Sequence, residues 1–483
     1  MKILLINHFY YSISEFTYYE KFFAPVPVIG LAYLASYLKK YGHEVKIIDD
    51  YVEKLGLKGI MENIRSYSPE MIGISCLTPL ADQTVFLTKE IRKHFPEIKI
   101  VLGHRHADYF AKDFISKGIA DVIVHGEGEK TLLDLVCHFE NKQSLDDVKG
   151  ITYQDKGNPI RNPERPLIQD LDSIPFPAWD ILPLEKYKPR PEVTPGGRLN
   201  LPLLFNRGCP FHCIFCNQEL GNQVRRRSVE NVISEMLWCH DRFGVDGFVF
   251  SDANFPVYRD QAIEFCNELI RLDVPSKIVW TTETRPDLLD EELLELMKKA
   301  GCTKIQIGFE SGSDRILKIL NKRFTVQDSI KAADMVKKCG IFLYGLFIIG
   351  NPTETEEEIM ATIEASKKMG LDYAKFNLFV PFPGTAAYED QKIRKKTNGL
   401  PWICFSSYPP SAEKVVFTPD GMTPQKLIRS QKKAFLQFYF RPIMIYRHLF
   451  TIRNIRPREY WNGFLLILKN LYDLYIKKPE ACR

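Results

Sequence analysis

Twice along its length the chain alternates short β-branched runs with amphipathic helical stretches, and that alternation restricts it to wound α/β architectures. In the first block, apolar runs fall at Ile3–Ile6, Val45–Ile48, Met71–Ser75, Ile98–Leu102 and Val122–Val124. Over Gly30–Tyr41, Leu31, Leu34, Ala35 and Leu38 recur at helical spacing and Gly42 follows as a C-cap. Asp82–His94 is helical in the same way. Five strands joined by helices predict a parallel sheet of Rossmann or flavodoxin type over residues 1–140. Ligands of such sheets sit beyond the carboxyl ends of the strands. Here those ends are Asn7-His8, Asp49-Asp50, Ser75-Cys76-Leu77-Thr78, Gly103-His104-Arg105-His106 and Gly126-Glu127-Gly128-Glu129.

Residues 141–197 are rich in proline and charge and read as an ordered, irregular connector. The alternation then resumes, with strands expected at Leu201–Asn206, Gly247–Ser251, Ile278–Thr282, Lys304–Gly308, Leu343–Ile349 and Tyr373–Val380. Helices such as Val229–Phe243 and Thr355–Lys368 lie between them. Six βα units over about 190 residues fall short of the roughly 250 of a closed eightfold barrel. The expectation is an α/β chain whose residues 198–390 form a partial (β/α)6 barrel, with its site at the strand carboxyl ends. Residues 391–483 lose the alternation and read as mainly helical.

The 483 residues are 45% hydrophobic and 26% charged with net charge +5, the composition of a folded protein of several domains. That charge is too dilute for a nucleic-acid surface. MKILLINHF reads as a strand and not as a signal peptide, and no run of about 18 apolar residues suggests a spanning helix. The cytoplasm is the default location, where cysteines stay reduced. Of the 11 cysteines, eight are scattered singly and read as small buried apolar residues.

The other three are clustered: Cys209-Pro-Phe-His-Cys213-Ile-Phe-Cys216, directly after a predicted strand. Residues this close along one loop can direct three thiolates at one iron–sulfur cluster, and three leave one iron open to an outside ligand. The competing reading is a zinc site completed by His212. Structural zinc sites usually come as two paired ligand sets, and no second pair lies nearby.

The triplet, with the aromatic Phe215 before its last cysteine, resembles the signature of the radical S-adenosylmethionine (SAM) superfamily. The resemblance implies a [4Fe–4S] cluster on Cys209, Cys213 and Cys216, which chelates SAM and cleaves it by one electron to a 5′-deoxyadenosyl radical. It extends to Phe250-Ser-Asp252-Ala-Asn254-Phe255, similar to the family's acidic second-strand motif, although many relatives carry a second Asp at Asn254. Gly308-Phe-Glu310-Ser311-Gly312 is similar to its fourth-strand motif. Phe347-Ile-Ile-Gly350-Asn-Pro352 and Pro381-Phe-Pro383-Gly384-Thr385 match the fifth and sixth strand ends. Asp252, Asn254, Glu310, Ser311 and Gly350 are thereby implied as SAM-side residues.

Val28-Ile-Gly-Leu-Ala-Tyr-Leu-Ala, Gly42-His-Glu-Val, the two glycine-containing strand ends and Asp170-Leu-Asp-Ser-Ile-Pro-Phe-Pro177 resemble the superfamily's cobalamin-binding branch. Ser75, Leu77, Thr78, Gly103, His106, Gly126, Glu127 and Gly128 are then the expected corrin contacts. The Asp-x-His-x-x-Gly that supplies a cobalt ligand in mutases is absent after the first strand, so a histidine ligand is not expected. The branch implies methylation of an unactivated carbon of a small-molecule or lipid-like substrate, with electrons from a flavodoxin- or ferredoxin-type donor. The alternatives are a non-methylating reaction like the anaerobic cyclase of chlorophyll synthesis, or a non-catalytic carrier of the cofactors.

Phe435–Leu449 and Trp461–Ile476 are aromatic and aliphatic, with Arg441, Arg447, Arg453, Arg456 and Arg458 interspersed. Mostly apolar helices usually pack inside a protein. The sharper expectation is a peripheral contact with a membrane surface.

Overall fold

The computed structural model describes residues 1–9, 25–187, 194–217, 221–409 and 411–446. The stretch Trp461–Ile476 lies outside them.

The first sheet is built from β1 (Lys2–Asn7), β2 (Glu44–Asp49), β3 (Met71–Ser75), β4 (Lys99–Gly103), β5 (Val122–Val124), β6 (Ile151–Asp155) and β7 (Asn158–Arg161), in the order β2-β1-β3-β4-β5-β6-β7. β1 to β5 are parallel, the flavodoxin-like order. Helices Ile29–Lys40 and Gly128–Asn141 cover one face and Gly56–Tyr67 and Ala81–His94 the other. Covered on both faces, β1 reads as the continuous apolar run Ile3-Leu-Leu-Ile6, all buried.

β6 and β7 add a hairpin from the segment read as irregular. Lys156 and Gly157 both have positive φ, as the tight primed turn requires. Pro159 removes a donor from β7, which is tolerable because β7 is the sheet edge.

The second sheet is wholly parallel and runs in sequence order: β8 (Asn200–Leu203), β11 (Gly247–Phe250), β12 (Val279–Thr284), β13 (Cys302–Glu310), β14 (Phe342–Ile349) and β15 (Tyr373–Leu378). Between β8 and β11 a two-stranded ribbon forms from β9 (Asn206–Arg207) and β10 (Arg225–Arg226). Ile305, Ile307, Phe309, Leu343, Phe347 and Phe376 are fully buried in the core shared with the covering helices. Alternate residues such as Gln306, Tyr344 and Lys375 are only half-buried.

The free edge of β15 is closed from the C-terminal side. In helix Pro424–Tyr439, Tyr439 Oη donates to the Ala374 carbonyl (2.9 Å) and accepts from the Ala374 amide (3.1 Å). Gln431 Nε2 donates to the carbonyls of Phe376 (2.7 Å) and Ser407 (3.0 Å). An exposed strand edge is thereby removed. Among the described residues, no helix is long and apolar enough to cross a membrane.

The chain then returns to the first domain. The turn Trp402–Cys404 rests against Thr78–Leu80, and the Trp402 amide donates to Asp82 Oδ2 (3.2 Å). Tyr109 Oη donates to Glu389 Oε1 (2.6 Å). Both contacts lie at the carboxyl ends of β3 and β4.

Candidate functional site

The cysteine loop begins where β8 is broken. Both oxygens of Asp252, just past β11, accept backbone amides: Oδ2 from Phe205 (2.9 Å) and Oδ1 from Asn206. The chain then turns into β9 and reaches Gly208 at φ +99°, where a Cβ would stand 2.2 Å from the Gln223 carbonyl oxygen. Only glycine fits there. The amide of Cys209 donates to the Gly221 carbonyl (3.1 Å), that of Ile214 to Leu320 (3.3 Å) and that of Ala387 to Ile214 (2.9 Å). Asn321 Nδ2 donates to the His212 carbonyl (2.7 Å). The loop is therefore held from three directions, and its thiols step outward from Cys209, buried, through Cys213, half-buried, to Cys216, exposed. Asn254 Nδ2 donates to Cys209 Sγ (3.4 Å).

Two cations face this loop. Lys322 Nζ pairs with Glu310 Oε1 at 2.9 Å, both side chains under a tenth exposed, and lies 5.7 Å from the centre of the Phe215 ring. Burial alone would lower the Lys322 ammonium, but Glu310 reverses the effect and keeps it charged. Arg285 stacks over Phe211 at 3.7 Å, bonds both oxygens of Asp287 at 2.9 Å and donates to the Lys322 carbonyl.

Glu310 has φ +63°, and the register between β13 and β14 slips at that point. Such a backbone is unfavourable for a residue with a side chain. Its carboxylate folds back over Gly308, where a Cβ would come within 2.6 Å of Glu310 Oε1.

Burial pushes the Cys213 thiol up, and the neighbouring Cys209 adds to the effect. Three bare thiolates repel here, and a group that carries positive metal charge relieves the repulsion. Among the described residues, no three His, Cys, Asp or Glu side chains are placed to hold one metal ion. In an iron–sulfur cube each thiolate takes its own iron, which sets the sulfurs farther apart than one ion would. The all-thiol donors, stepped along one loop beside two cations, fit such a cube.

Other implied SAM-side residues are engaged elsewhere. Ser311 is fully buried, bonded to Thr362 Oγ1 (3.2 Å) and to the Ser313 amide (3.2 Å), and ties the end of β13 to helix Glu356–Lys368. Gly350 has φ +77° and a Cβ there would strike Leu427, so it serves the packing of the C-terminal helix.

At the carboxyl ends of the first sheet the expected corrin contacts divide. Gly103 and Gly126 open onto free space: a Cβ at either meets nothing within 4 Å. Ser75 and Leu77 are half-buried beside them and Thr78 is buried. This leaves room for a large planar ligand close to the backbone, as that group needs. Gly128 is small for another reason, since a Cβ would come within 2.9 Å of Leu34 in the neighbouring helix. His106 is 1% exposed, packed against Phe110, Phe114 and Trp402, with no hydrogen-bond partner for either ring nitrogen among the described residues. His8 bonds Thr84 Oγ1 (2.8 Å) and His104 is exposed at φ +77°. Glu127 is turned to the domain junction, where Oε1 accepts from Arg207 (2.8 Å) and Oε2 from Arg225 (2.7 Å) and the Ile168 amide (2.7 Å).

Sequence reasoning missed Lys322, Arg285, Arg207 and Arg225. Lys322 follows a short helix with no motif around it. The pairing of Arg207 with Glu127 and Glu129 was hinted at only by the charges of two short motifs about 80 residues apart.

Comparison with known proteins agrees with this geometry. Residues 203–365 match the model of the radical SAM superfamily, and residues 18–136 that of the B12 binding domain. The chain is similar to an uncharacterized methyltransferase of Pyrococcus horikoshii, 34% identical over 445 residues that span 91% of this chain and 94% of the relative. It is similar also to the anaerobic magnesium-protoporphyrin IX monomethyl ester cyclase of Rubrivivax gelatinosus, 31% identical over 435 residues, 86% of this chain and 75% of the relative. Its fold resembles that of the radical SAM methyltransferase TsrM from Kitasatospora setae, solved with cobalamin and a [4Fe–4S] cluster bound, at a TM-score of 0.66 and 18% identity over 99% of this chain and 91% of that one. The two domain types bring a [4Fe–4S] cluster, SAM and cobalamin as cofactors. The chain belongs to the radical SAM superfamily, in the branch whose members carry a B12-binding domain ahead of the radical SAM domain.

Proposed function

We propose that this enzyme transfers a methyl group to an unactivated carbon of a small-molecule or lipid-like substrate. The observation that carries the reading is the junction of two sites: the thiols of Cys209, Cys213 and Cys216 stand on a loop whose following residue, Asn217, lies near Gly384, as does Tyr109 from the end of the first sheet. When bound, the cluster supplies the electron that cleaves SAM, and the corrin carries the methyl group.

The protein's own part is to hold and shield. Cys209, Cys213 and Cys216 bind the cluster, and Asn254 fixes the Cys209 sulfur. Glu310 and Lys322 form a buried ion pair beside the loop, and their opposite charges support a role in receiving the amino and carboxylate ends of SAM. Asp252 shapes the strand end that launches the loop. Gly103, Gly126, Ser75, Leu77 and Thr78 leave room for the corrin, and Trp402 covers that side against water. The electron comes from an external flavodoxin- or ferredoxin-type protein.

Anaerobic reconstitution followed by iron, sulfide and corrin analysis tests the cofactor sites. The reduced protein with SAM alone should form 5′-deoxyadenosine slowly, and S-adenosylhomocysteine up to one equivalent per bound corrin. The similarity to the cyclase favours a second reading, non-methylating ring closure. It predicts 5′-deoxyadenosine with no S-adenosylhomocysteine, and that outcome would displace the methyl-transfer reading.

The C-terminal region offers a peripheral membrane contact. Around helix Pro442–Tyr446, Phe440, Ile443, Ile445 and Tyr446 are all exposed, next to Arg441. Flotation with anionic liposomes should carry the full chain and leave a chain ending at residue 440 behind.

A further inference from the structure

Four buried charges join the two domains beneath the cysteine loop. Arg207 Nη1 donates to Glu127 Oε1 (2.8 Å) and Nη2 to Glu129 Oε1 (2.6 Å). Arg225 Nη1 donates to Glu127 Oε2 (2.7 Å) and to the Ile168 carbonyl (2.8 Å). The side chains of Glu127, Glu129, Arg207 and Arg225 are 4, 4, 7 and 2% exposed, and the Arg207 guanidinium lies 5.3 Å from the centre of the Tyr33 ring. Glu127 comes from the turn after β5, whose Gly126 opens onto the expected corrin space, and Glu129 from the first turn of the helix Gly128–Asn141 that follows. Both guanidinia come from the β9–β10 ribbon, where a single residue, Gly208, separates Arg207 from Cys209.

Buried ion pairs are weak devices for stability, because desolvation consumes much of the attraction, and their best-attested use is to fix register. Arginine suits that use: its planar fork offers two directed donors at a set angle, whereas lysine offers one mobile point charge. Arg207 uses both prongs on two different glutamates of the facing domain. Near the far end of the loop, a Cβ at Gly384 would lie 3.6 Å from Tyr109 and 3.9 Å from Asn217, the residue after Cys216. Gly384 thus stands between the far end of the cysteine loop and Tyr109 of the first domain.

We propose that Glu127, Glu129, Arg207 and Arg225 form a positioning device that fixes Cys209 relative to the carboxyl ends of β4 and β5, so that cluster and corrin are held at one separation. The proposal rests on the cofactor sites assigned above. None of the four touches a reacting atom. They act through the single glycine that links Arg207 to the first cysteine.

The test uses the full chain, reconstituted anaerobically with iron, sulfide and hydroxocobalamin and then reduced so that cluster and cobalt are both paramagnetic. Pulsed electron paramagnetic resonance reads the separation of the two spins. The wild type should show one narrow distribution. Arg207→Lys and the milder Glu129→Gln should keep wild-type corrin and iron contents yet broaden or shift that distribution. Glu235→Gln, which breaks the neighbouring buried pair with Arg227 (2.6 Å), serves as the control and should lower the melting temperature without moving the distance. An unchanged distribution in Arg207→Lys and Glu129→Gln, or equal broadening in Glu235→Gln, would overturn the proposal. So would loss of iron alone from a folded, corrin-loaded variant, since the quartet would then support only the cysteine loop. Absence of cluster or corrin from the wild type would instead sink the underlying cofactor assignment, and this inference with it.

Discussion

Lys322 and Glu310 stand or fall together. Lys322→Met leaves a buried, unpaired carboxylate and is expected to destabilise the protein by roughly 3–5 kcal/mol, measured by urea unfolding. The double variant Glu310→Gln/Lys322→Met should recover much of that loss, because it buries no uncompensated charge. His106 yields a prediction in pH. Burial pushes it down to about 3 and His8 down to about 4, while the unfolded chain protonates both near 6.5. Between those values the unfolded state binds more protons, so stability is full above pH 6.5 and is lost as pH falls. His106→Phe, surrounded by Phe110, Phe114 and Trp402, should remove one proton from that dependence, about 1.4 kcal/mol per pH unit at most, read from unfolding between pH 7 and 4.5. At this scale the sequence was legible where chemistry is local. Three cysteines within eight residues announce themselves, but the partners of Glu127, Glu129 and Glu310 are chosen by tertiary contact and carry no local mark.

Elements were more legible than residues. Each expected strand is present to within a few residues, because in wound sheets strands are continuous apolar runs and helices carry a different period. The β6–β7 hairpin escaped notice because Pro159 and the surrounding charges look like loop, and only its edge position makes that composition acceptable. The break between β8 and β9 was also invisible, since it depends on Asp252 reaching back from β11 to two amides. Gly208→Ala tests how tightly that turn governs the loop: anaerobically reconstituted protein should lose most of its iron while circular dichroism stays unchanged. At the closed edge of β15, Gln431→Ala and Tyr439→Phe should each cost about 1 kcal/mol by denaturant unfolding, as buried carbonyls lose their donors.

At the scale of the molecule, the order of motifs along the chain announced two wound domains but not how they face each other. Their facing depends on side chains far apart in sequence: the Arg207 quartet on one side, and the contacts of Tyr109 and Trp402 on the other. Trp402 has a consequence for biosynthesis. It lies some 300 residues downstream of the sheet ends that it covers, so a ribosome delivers the first domain long before its cover. On the proposed reading, a corrin that arrives during translation meets an open cleft, whereas one that arrives later must lift the Trp402 turn away from Thr78–Leu80. Cells starved of cobalamin while this protein is made, and supplied only afterwards, should therefore accumulate a sealed apo form that loads slowly, and pulse-chase incorporation of labelled corrin would record the lag.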